Sequence, residues 1–517
     1  MRRASEGAEK LRLAESQLAA GRFNEAVETL RAAVRAERHA PRPRLMLAYA
    51  LWRADARDEA IRVLRRLIEE FPSNADAWFN LGNLLRANRG FEQAAHAFRR
   101  AGALQPANEA PPINLGLVLV QQGKFDEADA AIRESLLRFP DEPDLLVNLA
   151  QVCRVRRRWN EALELLDRCI GLAPKHAGYR VARALARHEA GHTAGALQDV
   201  DLVIAHEPGN AEARFAKAQV LLSCGEFESG WAEYRWRPDR LAWLRRRAMP
   251  LDSPLPALDS MRDREVILCG EQGLGDTLFF TRFVTSIAKL ASAVHLDVDA
   301  RLRPILPQGW FSSTGPDAAR ILVGDLPSML NAGAAPSIRL APDAARVAAM
   351  RDRLATCGPP PYMGITWQAG IRWEDMRSPG DSLFKRVPPE ALGDTLRSAP
   401  GTLVSLQRGG DSNDLNALGT AAQHRIHDFS WVNQELQDAL ALLAVLDDYI
   451  AVSNTNVHLN EALGKRTRVL VTYPAEWRWM ASGERSPWFD QALLYRQARD
   501  GSWDSALERL EGDLARQ

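Results

Sequence analysis

The run EVILC (Glu265–Cys269) leads into GEQGLGD (Gly270–Asp276) and then into the apolar helical pattern TLFFTRFVTSIAKL of residues 277–290. Strand, glycine-rich loop and helix form the outline of a phosphate cradle. Glycine permits tight turns and leaves backbone N–H groups at a helix start open to an anion. The run is neither GxxxxGK[ST] nor GxGxxG, so taken alone it specifies no particular nucleotide. A second constellation is periodic: Asn80, Asn114 and Asn148 follow one another at steps of 34. An amide side chain carries both donors and an acceptor, so a ladder of them can hold an extended peptide without reading its sequence. Arg86 and Arg154 lie nearly two turns further along their helices and would add charge selection. The other reading of these asparagines is ordinary scaffold usage in a helical repeat. The five cysteines (Cys153, Cys169, Cys224, Cys269, Cys357) are scattered and contain no CxxC pair, which argues against a disulfide framework or a zinc site and for a reducing compartment.

These groups need elements to position them, and the repeat supplies the first set. Ala26, Ala60, Ala94, Ala128, Ala162, Ala196 and Gly230 share a step of 34, and so do Pro72, Pro106, Pro140, Pro174 and Pro208. Two independent series with one period predict stacked antiparallel helix pairs. Small residues let the helices approach, large ones fill the gaps, and proline stops the second helix. The unit Ala75–Asn108, with Trp78, Leu81, Gly82, Leu85, Phe91, Ala94, Phe98, Ala101 and Pro106, resembles the tetratricopeptide (TPR) repeat. About seven units are expected over residues 7–238, the last one truncated near Gly225–Arg237. Each pair leaves an apolar face that the next must cover, so the array stacks. Trp78 and Trp159 are expected to pack rather than bind.

Residues 239–260 hold Arg240, Arg245, Arg246 and Arg247, then Pro250, Pro254 and Pro256, and are expected to be a linker whose arginines are solvated or dock domains. Beyond it strand-like YMGITW, GTLVSLQ, DYIAVS, RVLVTY and ALLYRQ alternate with helix-like segments, as in a parallel doubly wound sheet. Ligands of such sheets sit outside the strand carboxyl ends. The fold expected is an α-solenoid followed by an α/β GT-B arrangement, with Rossmann-like halves at 261–360 and 361–517. Residues 287–360 are weakly patterned, so the first half is expected to be reduced. Lys+Arg 66 balances Asp+Glu 66, which argues against bulk attraction to nucleic acid. The basic N-terminus lacks an apolar signal core, and Ala439–Leu446, the most apolar stretch, is too short to span a bilayer. A cytoplasmic protein is expected.

The segments EQGLGDTLFFTRFV (Glu271–Val284), SLQRGGD (Ser405–Asp411), NTNVHLNEALGK (Asn454–Lys465), PAEWRWM (Pro474–Met480), SPWF (Ser486–Phe489) and YRQ (Tyr495–Gln497) occur in one order. Together with the repeats they resemble bacterial TPR-fused GT-B glycosyltransferases related to the heptosyltransferase family. The architecture is also similar, more loosely, to protein O-GlcNAc transferases and TPR-bearing flagellin glycosyltransferases. The resemblance implies inverting transfer of a sugar from a nucleotide sugar, without metal or cofactor, to an acceptor protein held in the repeat groove. By the same resemblance Asp276 corresponds to the catalytic base, although an Asp there also suits a helix cap. Donor binding would fall to Gly273 and Gly275, to Trp367 with Arg372 and Arg377 on the loop after it, and to the helix start Asn454, Thr455, Asn456 and His458, with Lys465 adding charge. Gln407 and Glu476 would meet base or ribose. Trp477, Trp479 and Trp488 read as wall and core, while His458 could equally pack inside its helix and Arg377 be solvated. One departure stands out: where many relatives have Asp-Thr before this helix, the chain has Ser453 and Asn454. That substitution leaves open a non-enzymatic adaptor with a degenerate transferase-like domain. A lipopolysaccharide-type acceptor is a third option, for which a peptide groove would be superfluous.

Overall fold

A computed structural model describes residues 2–37, 39–313, 315–370, 385–409 and 411–516. The described residues form two compact units, which divide between Tyr179 and Arg180. The first unit is all helical. Its pairs are Arg2–Ala19 with Phe23–Ala36, Pro41–Arg53 with Arg57–Glu70, Ala75–Ala87 with Phe91–Leu104, Ala110–Gln121 with Phe125–Arg138, and Pro143–Val155 with Trp159–Leu172. Two further pairs, Ala177–Glu189 with Thr193–His206 and Ala211–Ser223 with Phe227–Tyr234, complete the expected seven, and the closing helix is cut to 8 residues.

The physics of the repeat matches its spacing. Ala26, Ala60, Ala94, Ala128, Ala162 and Ala196 are each 0% exposed. A Cβ at Gly82 would meet the Phe98 ring at 2.6 Å, and one at Gly116 would meet Ile132 at 2.8 Å, so these positions set the helix–helix distance. Pro72, Pro106, Pro140, Pro174 and Pro208 each follow the end of a second helix by two residues. A third series, absent from the sequence reading, lies in the turns inside the pairs. Gly21, Asp55, Arg89, Gly123, Arg157, Gly191 and Gly225 all have positive φ, between 59° and 89°.

The second unit contains the last two repeats and the α/β half. Strands β1 (Glu265–Cys269), β2 (Ala293–Asp297) and β3 (Ala319–Leu322) make a parallel sheet in the order β2-β1-β3. The remaining strands are β4 (Tyr362–Thr366), β5 (Gln368–Ala369), β6 (Lys385–Arg386), β7 (Thr402–Ser405), β8 (Ile426–Asp428), β9 (Asp448–Val452), β10 (Thr467–Val471) and β11 (Ala492–Arg496). Six of them form a second parallel sheet, β11-β10-β9-β4-β7-β8, while β5 and β6 pair as a short antiparallel ribbon. From β4 the chain builds outward through β7 and β8, then crosses back to add β9, β10 and β11 on the other side. This is the order of doubly wound nucleotide-binding sheets, and its reversal point lies between β4 and β9. The five strand-like runs predicted after Tyr362 are all here. The weakly patterned region 287–360 yields β2, β3, short helical turns and the 12-residue helix Ala344–Ala355.

The expected linker is part of the fold. Residues Pro238–Arg246 form a helix whose Trp243 packs on Ile267, Cys269 and Leu322 of the small sheet. Proline at the first helical turn starts that helix rather than breaking it. Two of its flanking arginines are buried. Arg237, 0% exposed, donates to both Glu271 oxygens at 2.8 Å and meets Asp325 at 2.7 Å, while Arg240 also reaches Asp325. The arginine run therefore splits between docking and solvent: Arg245, Arg246 and Arg247 are exposed. No described helix is long and apolar enough to cross a membrane.

Candidate functional site

The strand carboxyl ends at the reversal point lead to Trp367 after β4 and to Ser453 after β9. The helix Thr455–Ala462 begins there, capped by Asn454, whose Oδ1 accepts from the amides of Asn456 (2.8 Å) and Val457 (3.2 Å). Those two amides are thus occupied by the chain itself and are not the open anion cradle expected of them. Thr455 remains half-exposed at the rim. The glycine loop of the small sheet comes against this helix start, because a Cβ at Gly275 would lie 3.6 Å from Thr455 Cα and 3.3 Å from the His458 ring. A side chain there would be tight against the His458 ring and in ordinary contact with the Thr455 backbone.

Asp276 sits on the half-exposed side of that contact. Its Oδ2 accepts from the Gly273 amide at 3.2 Å, and its Oδ1 is paired with Arg478. The cap role foreseen for Asp276 is therefore realised in the first turn of the helix Leu274–Phe280. Arg478 lies over the rings of Trp477 (4.5 Å) and Phe279 (5.0 Å) and stands 4.0 Å from Glu476. Glu476 pairs in turn with Lys385 and accepts from Ser453 Oγ at 3.2 Å. Burial pushes the Glu476 carboxyl up, but Lys385 and Arg478 outweigh it and hold the group below the usual carboxylate value. Lys385, which the sequence reading missed, also donates to the Ser453 carbonyl at 3.3 Å. The pairing accounts for the departure at Ser453. An Asp in its place would press a second carboxylate against Glu476, whereas a hydroxyl donates to it.

Backbone strain marks both loops. Gln272 has φ 56°, with its amide donating to Tyr234 Oη at 3.1 Å, and Met480 has φ 61° with ψ 159°, a region otherwise left to glycine. These two residues bracket the segments that carry Asp276 and Arg478.

Several expected donor contacts turn inward instead. Trp367 is 1% exposed within a core cluster. Gln407 uses its oxygen on the amides of Trp367 (3.2 Å) and Gln368 (2.9 Å), and its nitrogen on the carbonyls of Gln368 and Arg408 (both 3.0 Å). It fixes the loop ends and has no amide position left for a base or ribose. Asn456 is buried and donates to Asn433 at 3.0 Å. His458 is buried edge-on against Phe279 and Phe489, and burial, reinforced by Arg478, Arg282 and Lys385, holds its imidazole well below the usual histidine value. A neutral packed ring is the outcome, not a cationic phosphate ligand. Lys465 donates to the carbonyls of Leu443 and Ala444 (both 2.9 Å), closing a helix end. Arg372 and Arg377 lie outside the described residues. Trp477, Trp479 and Trp488 are core, as expected, Trp477 and Trp488 packed with Trp231 and Phe279 and Trp479 stacked on Phe489. Aromatic side chains fill the interior behind the contact of Gly275 with Thr455, while Gly273, Gly275, Asp276, Lys385, Thr455 and Glu476 keep some exposure. Among the described residues no group of three or more His, Cys, Asp or Glu is placed to hold a metal.

In the helical unit, Asn114 turns its Nδ2 onto Ala110 O of its own helix at 2.9 Å, and Asn148 reaches Ile113 O in the preceding repeat at 3.2 Å. Their donors serve the scaffold, so the uniform amide ladder is not formed. Asn80 is half-buried, Arg86 has a buried Nε without a partner, and Arg154 donates to Gln151 at 2.8 Å. An aromatic surface was overlooked: Tyr49 is 43% and Trp52 41% exposed, with Arg53 donating to Tyr49 Oη and lying 4.3 Å over the Phe23 ring. Trp52 shares the register of Arg86 and Arg154, which is the signal that would have found it.

Tetratricopeptide repeat family models match residues 17–86, 113–177 and 149–220. The chain is 23% identical to Protein FlbA of Caulobacter vibrioides over an alignment of 537 residues, which covers 87% of this chain and 86% of that protein. It is 33% identical over 107 residues to Protein O-mannosyl-transferase TMTC3 of Homo sapiens, a match covering 20% of this chain and 12% of that protein. Similar solved structures include a tetratricopeptide repeat protein from Parabacteroides merdae (TM-score 0.40, 17% identity, 45% of this chain and 91% of that one). Another is YrrB, described as a TPR protein with an unusual peptide-binding site (TM-score 0.31, 19% identity, 37% and 98%). The N-terminal region is a TPR array, and parallel sheets with helices follow it.

Proposed function

We propose that this protein is a glycosyltransferase of GT-B type that moves a sugar from a nucleotide-linked donor to a protein bound by its TPR array. The observation that carries the reading is the approach of Gly275, the neighbour of Asp276 on the glycine loop of one sheet, to Thr455 at the reversal point of the other, where Lys385 reaches the Ser453 carbonyl. In this reading Lys385 and the Thr455 hydroxyl and amide stabilise the departing diphosphate, and Asp276 accepts the proton of the attacking hydroxyl. The acceptor segment lies along Tyr49, Trp52, Asn80 and Arg86. The word transferase in the name of one relative supports glycosyl transfer as the class of chemistry.

The test is direct. Purified protein is heated with UDP, GDP and CMP, and one of them is expected to raise its unfolding temperature, since a ligand of the folded state must stabilise it. With the matching nucleotide sugar, Asp276→Asn is expected to keep nucleotide affinity while transfer falls about 10²–10⁴-fold. If no nucleotide binds and no donor is consumed, the chain is a binding protein and the transferase reading is wrong.

A further inference from the structure

Lys385, Glu476, Arg478 and Asp276 alternate in charge in sequence, with Lys385 paired to Glu476, Arg478 paired to Asp276, and a 4.0 Å gap between the two pairs. Their side chains are 14%, 22%, 9% and 29% exposed, so the series runs along the rim with its two ends within reach of solvent. Both Asp276 oxygens are occupied, one by Arg478 and one by the Gly273 amide. A carboxylate held in this way has one lone pair of each oxygen already taken, and a cation stands against Oδ1. The middle link is the loose one: Arg478 and Glu476 stand 4.0 Å apart, beyond hydrogen-bond distance, and the Arg478 Nε is buried without a partner.

We propose that this chain of charges is a donor-gated lock on Asp276, an inference that rests on the transferase reading above. A diphosphate arriving at Lys385 competes with Glu476 for the ammonium group. Glu476, released, closes the 4.0 Å gap to Arg478, and Arg478 swings off Asp276. Asp276 Oδ1 then becomes available to an acceptor hydroxyl. When the diphosphate leaves, Lys385 recaptures Glu476 and the lock resets. The consequence is an obligatory order, donor before acceptor hydroxyl. Glu476 and Arg478 are positioning residues here; neither need touch the sugar.

The experiment uses the full chain with UDP or GDP as the probe, whichever raises the unfolding temperature of the wild type. Glu476→Gln removes the competitor for Lys385, so the probe is expected to bind about tenfold tighter, yet transfer falls because nothing draws Arg478 away. A double-mutant cycle of Asp276→Asn with Arg478→Gln, read as unfolding temperature, is expected to show coupling without the probe and none at saturation. Lys385→Met removes the cation that holds Glu476, so it opens the lock permanently and is expected to abolish that coupling even without the probe. Equal probe affinity in wild type and Glu476→Gln, with coupling unchanged by the probe, overturns the lock while leaving the transferase reading standing. Absence of probe binding to the wild type and to Glu476→Gln overturns both.

Discussion

His458 shows how a residue picked for its chemistry can be claimed by packing. Gly275 presses on its ring, and Phe279 and Phe489 enclose it, so the folded state keeps the imidazole neutral. Unfolding frees it to bind a proton near its ordinary value of about 6.5. The folded value is depressed, so the associated stability is present above about pH 6.5 and is lost as pH falls from there toward the folded value. Thermal unfolding followed from pH 7.5 to 5 is expected to show a decline that is shallower in His458→Gln than in the wild type. Identical slopes would remove His458 from the acid sensitivity. Little of this was legible beforehand. The glycine loop and the NTNVH helix start are local patterns that a sequence displays, and they did converge. The Asn454 cap is local, but the partners of the Asn456 side chain and the Ser453 carbonyl, Asn433 and Lys385, lie far along the chain and follow no motif.

Among elements, the repeat was the most legible, because its period repeats one packing problem. Gly82 faces Phe98 at a distance that admits no Cβ, whereas a Cβ at Gly171 meets nothing within 4 Å. Gly82→Ala is therefore expected to cost about 1–3 kcal/mol through overpacking, and Gly171→Ala to gain about 0.5–1 kcal/mol by stiffening the helix. Chemical denaturation of the two variants checks both signs. The left-handed turns escaped notice for a plain reason. Asp55, Arg89 and Arg157 take the conformation that Gly21, Gly123, Gly191 and Gly225 advertise, so the series is geometric and broken in composition. Strand β8 is only three residues long, and β2 and β3, though as long as β1 and β7, lie in a stretch without alternating pattern, so none of the three was read.

For the molecule as a whole, the instructive error is the linker. Arginines and prolines in and just before residues 239–260 read as a linker whose arginines are solvated or dock domains, and composition does not tell a surface cation from one that meets buried carboxylates elsewhere in the chain. Arg237 is such a cation, enclosed by Glu271 and Asp325. Removing one partner of a buried charge cluster strands the others, so Arg237→Ala is expected to destabilise the second unit by about 3–5 kcal/mol. Calorimetry that resolves two transitions would show the loss in one of them; an unchanged profile would show that the cluster relaxes into water. The same cluster carries a consequence for engineering. Glu271, which Arg237 grips, immediately precedes the turn that ends in Asp276, and it also accepts from the Gly324 amide at 2.7 Å. A chimera that grafts foreign repeats onto this α/β half must keep the closing helix pair and its arginine. A splice placed at the proline stretch would saw through the bracket on which the glycine turn is mounted.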